Sequence, residues 1–146
     1  MKLTKFITRE WEAGQNAGLF LLRVAAGFAL LYGHGFQKLS VILSGQEIKF
    51  MDPIGIGAIP SYYMAGFAEG ICALLLMAGL LSRVASSILS VNFLVITGFH
   101  IFSGHVFNNL ELSILYLGIF VALTLMGPGK YALDAYWFRQ KNRLKY

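Results

Sequence analysis

A chain of 146 residues that is 57% hydrophobic and only 13% charged, with a mean hydropathy of +0.64, holds more apolar matter than a soluble domain of that length buries. This excludes a soluble enzyme and leaves a membrane protein. One cysteine, Cys72, excludes an intrachain disulfide, a CxxC redox pair and a cysteine-built zinc or iron–sulfur centre, so no metal site is expected and redox chemistry needs an external cofactor or a partner. The formal charge of +5 would suit nucleic acid. Basic tails are, however, the ordinary product of membrane topology and of attraction to anionic lipid, so no nucleic-acid partner is expected.

At the N-terminus, Leu3, Phe6, Ile7 and Trp11 recur at helical spacing against Lys2, Lys5 and Arg9, which predicts a helix over 2–14 lying in the membrane interface. A basic start before an apolar run resembles a secretory signal, but Arg23 interrupts the run and the run is too long, so the segment is read as retained. The first span is predicted near 18–40. A connection over 41–60, "VILSGQEIKFMDPIGIGAIP", is broken by glycines, Pro53 and Pro60 yet keeps many apolar residues; it reads either as a loop folded on the bundle end or as a lid over a lateral cavity. Further spans are predicted near 61–81, 84–103 and 109–126, each close to the roughly 20 residues that cross a hydrocarbon core. The turn "LLSRVA" between the second and third makes a tight hairpin with Ser82 and Arg83 at its tip. A basic tail, 128–146, carries Tyr131, Tyr136, Trp137 and Phe138 at headgroup level, ahead of its basic residues from Arg139. The predicted architecture is one all-α domain, an integral membrane four-helix bundle. Nine of the twelve Lys and Arg lie on the side of the two tails and the hairpin tip, which predicts that both termini are cytoplasmic.

Composition does not account for the polar residues inside the spans. Arg23, His34 and Lys38 are separated by 11 and 4 positions, which at 100° per residue puts them within roughly 60° of one another on the first helix. Glu69 lies in the second span among apolar residues and is too short to reach water, whereas Arg23 and Lys38 can snorkel. "GFAEG" gives Gly66 and Gly70 a GxxxG spacing, with Ala73 following, so that another helix can come close to the acid. Glu69 is therefore expected to be ionised and paired with Lys38 or with protonated His34. That pair serves either chemistry or helix packing alone. Asn92 in the third span suits an interhelical hydrogen bond, and His100 with Glu111 flanks the outer loop. Glu111 also fits a capping box with Asn108 in "NNLE".

The order of an Arg in the first helix, "HGFQK" at its end, "AEG" before "GLLSR", then "FH", a Glu opening the fourth helix and "GPGKYALD" resembles the DoxX family over nearly the whole chain. The family pattern falls on Arg23, Gly35, Lys38, Glu69, Arg83, His100, Glu111, Gly127, Pro128, Gly129 and Asp134. Ala132 stands where the last motif usually has Ser. The resemblance implies a multi-pass protein of the prokaryotic plasma (inner) membrane. It also implies kinship with the small DoxD-like subunit of thiosulfate:quinone oxidoreductase and, loosely, with the MauE proteins.

Three functions follow as expectations. The first is a membrane subunit of a quinone-linked oxidoreductase, with Glu69, Lys38 and His34 as the catalytic cluster and Arg23, His100, Glu111 and Asn92 helping to bind the quinone. The second is a noncatalytic anchor or assembly scaffold for a soluble partner. The third is a bundle whose His34 and His100 ligate a haem. A transporter is disfavoured, since the four spans show no inverted repeat or interrupted-helix pair. Gly27 and Gly33, with Gly66 and Gly70, suit close packing within or between protomers, so a homo-oligomer or a complex with a protein partner is expected.

Overall fold

The computed structural model describes residues 11–104 and 107–137. Most of the predicted interfacial helix and the basic residues from Arg139 onward lie outside them. Among the described residues the chain is an all-α membrane bundle with four long helices: α1 (Glu12–Ser44), α2 (Ala58–Ala78), α3 (Ser82–Phe102) and α4 (Phe107–Met126). The first three are long and apolar enough to cross a membrane. The apolar stretch of α4, Leu110–Met126, sits at the lower bound of about 17 residues for a span.

Local chemistry sets the helix ends, and it shifts them from where hydropathy puts them. The start of α1 is at Glu12 rather than near 18, because the polar run "EAGQNA" is helix-compatible; Glu12 occupies the first turn, where the helix dipole favours an acid. The same helix runs on to Ser44 and stops at Gly45, whose φ of +66° only glycine takes at little cost. Pro60 lies inside the first turn of α2 rather than ahead of it, since an N–H missing there has no partner to lose.

Each helix packs on the next, and α1 also touches α4, so the ring closes. Leu30, Leu76, Leu89, Phe120 and Leu123 are fully buried at the centre. Phe93, Tyr116 and Phe120 form an aromatic cluster between α3 and α4, with ring centroids 4.9 to 5.7 Å apart. The outward faces carry Phe28, Leu43, Val91 and Leu125, all exposed, as a lipid-facing surface does.

Glycines let α1 and α2 approach closely. A Cβ on Gly70 would lie 2.7 Å from the Leu39 side chain, and one on Gly35 would overlap the Glu69 carbonyl oxygen and sit 3.1 Å from Gly70 Cα. Gly27 and Gly66 are likewise crowded by the partner helix, whereas Gly33 has nothing within 4 Å. Three of the four predicted packing glycines are thus used within one protomer. Gly35→Ala should therefore destabilise by about 1–3 kcal/mol, the usual cost of overpacking, while Gly33→Ala should not. Unfolding of both variants in one detergent checks this, and equal stability would remove the close approach as a constraint.

The hairpin between α2 and α3 turns at Gly79–Leu81, and Ser82 and Arg83 already belong to α3. Leu81 has φ +49°, a left-handed conformation costing a non-glycine residue roughly 1–2 kcal/mol. The Asp134 carboxylate offsets this. It accepts the Leu81 and Ser82 N–H groups at 2.8 Å each, and the Asp134 N–H donates to Gly79 O at 2.9 Å. The segment after α4 is thus a strap across the hairpin, capping α3 from the far end of the chain. It is tied to α1 as well: the Lys130 N–H donates to Asn16 Oδ1, and the Lys130 ammonium pairs with Glu12.

Candidate functional site

Both helices that carry the polar residues are interrupted by a π turn, Leu31–Gly35 in α1 and Phe67–Cys72 in α2, and the two turns pack on one another. A π turn takes one more residue than an α turn, so it resets the faces of the helix beyond it, and such turns often occur at functional sites. Here His34 lies within the first and Glu69 within the second. Gly35 and Gly70 remove the side chains that would hold the turns apart.

Glu69 is 3% exposed and lies at residue 69 of a helix beginning at 58, roughly 16 Å along it at 1.5 Å per residue. Its Oε2 accepts from the Lys38 ammonium at 2.5 Å, and its Oε1 from Asn92 Nδ2 at 3.1 Å. Three helices therefore meet on one carboxylate. An isolated charge at that depth is costly, and the ammonium and the amide together satisfy both oxygens. Of the two partners expected for Glu69, Lys38 is the one bonded to it.

Beside the pair is a cavity of about 280 Å³ lined by His34, Lys38, Glu69, His100, Ser113 and Tyr116, with Phe50 and Met51 above and Phe93 and Ile96 behind. The structure thus brings together His34, Lys38, Glu69 and His100, and adds Asn92 through its hydrogen bond. His34 is exposed, at the cavity rim. Of the three residues predicted to share a line on α1, His34 and Lys38 line this cavity together, while Arg23, on the other side of the π turn, does not.

Two predicted ligand-binding residues lie elsewhere. Arg23 is buried at the hairpin end of α1, where Nη1 donates to Leu76 O at 3.3 Å and Nη2 to Tyr131 O at 2.9 Å. It holds the last turn of α2 and the strap. Glu111 is exposed and does not line the cavity. Asn108 lies within α4 rather than ahead of it, so the capping-box spacing does not mark the start of the helix.

The connection between α1 and α2 is built on Asp52. Its carboxylate accepts from the N–H groups of Ile56 at 3.0 Å and Gly57 at 2.7 Å and from Ser61 Oγ at 2.9 Å. These bonds, above all that from Gly57, hold its carboxyl below the usual range. The knot seats Phe50 edge-on to Tyr62, ring centroids 5.2 Å apart, and places Phe50 and Met51 over the cavity. The predicted lid is thus a tied cap. "DPIG" is the Asp-Pro turn signature that forms such a knot. Ser113, Tyr116 and Phe93 also line the site, and nothing in an apolar helix pattern sets them apart.

Among known proteins, the DoxX family model matches residues 18–105, from within α1 to just past α3. No curated protein and no solved structure matches the chain.

Proposed function

Since the chain belongs to the DoxX family, as the match over residues 18–105 shows, we propose that it is the membrane subunit of a quinone-linked oxidoreductase, with the quinone head beside the Lys38–Glu69 pair. The observation that carries the reading is the placement of a buried ion pair against a cavity rather than against packed side chains. A pair that only joined helices would need no space beside it. Two imidazoles, a phenol and a hydroxyl converge on that space, a donor set suited to carbonyl oxygens.

A quinone when bound takes up two electrons and two protons and leaves as the quinol. Lys38, held by Glu69, is the hydrogen-bond donor toward one carbonyl oxygen. The Glu69 carboxylate, anchored by Asn92, takes up each of the two protons in turn through His34 at the rim and passes it on, returning to the carboxylate each time. Phe50 and Met51 restrict water. The electrons come from a protein partner, in the plasma membrane of a prokaryote, with the termini on the cytoplasmic side.

Glu69→Gln tests this, because glutamine keeps the shape and an oxygen to accept from Lys38 but has no carboxylate to take up and release a proton. A short-chain quinone should raise the thermal midpoint of the purified wild-type chain, in proportion to ln(1 + [L]/Kd), and protect the variant about tenfold more weakly in Kd, the effect of roughly 1.4 kcal/mol. No protection of the wild type, or equal protection of both, would leave the anchor or scaffold reading in its place.

A further inference from the structure

The polar cavity has a neighbour. Between α2 and α3 runs a second cavity of about 330 Å³, almost wholly apolar, floored by Ala65 and Ala68 of α2 and flanked by Ser87 of α3. Small side chains at these positions leave the space open. At its rim Met64 and Val91 are 57% and 62% exposed, so it opens on the lipid-facing side of the bundle. Phe50 and Ile96 line both cavities. Asn92 stands in the wall of the groove while its amide reaches through to Glu69.

The two volumes complement each other. The polar cavity, at about 280 Å³, lies below the roughly 300–1,000 Å³ of sites that enclose a drug-sized ligand. It takes a substituted ring and little more. The groove has no cation and no carboxylate in its lining, so a head group gains nothing there, whereas an apolar chain does. We propose that the α2–α3 groove is the tail subsite of the same ligand: it holds the first isoprenoid units of a membrane quinone whose head lies by Lys38 and Glu69. Phe50 and Ile96 form the threshold between the two parts, and ligand enters sideways from the lipid between Met64 and Val91. This assignment rests on the quinone reading of the polar cavity.

The test titrates the full chain in nanodiscs with two probes, a tail-less dimethoxy-methyl benzoquinone and its two-isoprene homologue, with concentrations expressed as mole fractions in the lipid so that partitioning cancels. Val91→Trp closes the groove from its exposed rim, where the core is untouched. Ala65→Leu is a second variant that fills the floor. For the wild type the tail should tighten binding measurably at equal mole fraction, through van der Waals packing in the groove, since transfer out of water has cancelled. Both variants should lose most of that gain and keep the affinity for the tail-less ring. If the ring binds but the tail adds nothing, or if the variants weaken both probes alike, the groove assignment is overturned and the quinone reading stands. Loss of co-purified phospholipid in Val91→Trp with no tail gain would make the groove an acyl-chain site, also against the proposal. If neither probe binds the wild type, the quinone reading itself fails and the assignment falls with it.

Discussion

Replacing Glu69 with leucine should lower the unfolding free energy by about 3–5 kcal/mol, the cost of leaving one member of a buried ion pair behind. The Lys38 side chain is only 14% exposed, and without Glu69 its ammonium faces apolar surroundings; Asn92 Nδ2 loses its acceptor at the same stroke. Glu69→Gln should cost less, since the amide oxygen still accepts from Lys38 and the amide N–H can donate to Asn92 once the Asn92 amide has turned over. The decisive comparison is a double-mutant cycle with Lys38→Met, followed by reversible unfolding in a single detergent. Removing both charges should restore much of what either single change loses. Strict additivity would show that the pair is not coupled, and the description of the site would then be wrong.

Arg23→Ala should be comparably damaging, at about 3–5 kcal/mol, for a different reason. Arg23 is 1% exposed and the largest fully buried side chain among the described residues. Its loss opens a cavity, strips the Arg23 donor from Tyr131 O in the strap, and leaves Leu76 O with the Gly79 N–H alone. Gly79 has no side chain because Arg23 Nη1 fills that place. Leu76 is seven residues along α2 from Glu69, roughly 10 Å at 1.5 Å per residue, so quinone protection of whatever folds should match the wild type. A fall in ligand affinity without a fall in stability would return Arg23 to the binding site. Unfolding and ligand titration on one preparation measure both.

Reading the sequence located four apolar segments and singled out Glu69, because a short acid amid phenylalanine, isoleucine and leucine has no escape to water, whatever the fold. The helix ends were less legible. Hydropathy sees the polarity of "EAGQNA" but not its helix-compatible backbone, and takes Pro60 for a boundary when it belongs to a first turn. Least legible were the π turns. They sit where two glycine-bearing helices press together, a contact that neither helix's own residue pattern shows. The placement of Arg23 was hidden for another reason: its partners are carbonyls that no residue pattern advertises. Asn92 was foreseen as an interhelical bond and is one; its second position, in the wall of the groove, required the neighbouring helix to be seen.

The strap has a consequence for the making of the protein. The turn at Gly79–Leu81 leaves the ribosome early, but the carboxylate that caps α3 belongs to a residue 52 positions after Ser82. At roughly 5–20 residues per second of synthesis, the α2–α3 hairpin waits about 3–10 s with a strained leucine and open N–H groups. Its final geometry is locked only when α4 has been threaded and the last motif arrives. Insertion thus proceeds from the first helix forward, while completion runs backward from the chain's end, and a truncation that spares every membrane span yet stops short of Asp134 leaves the earliest hairpin unfinished.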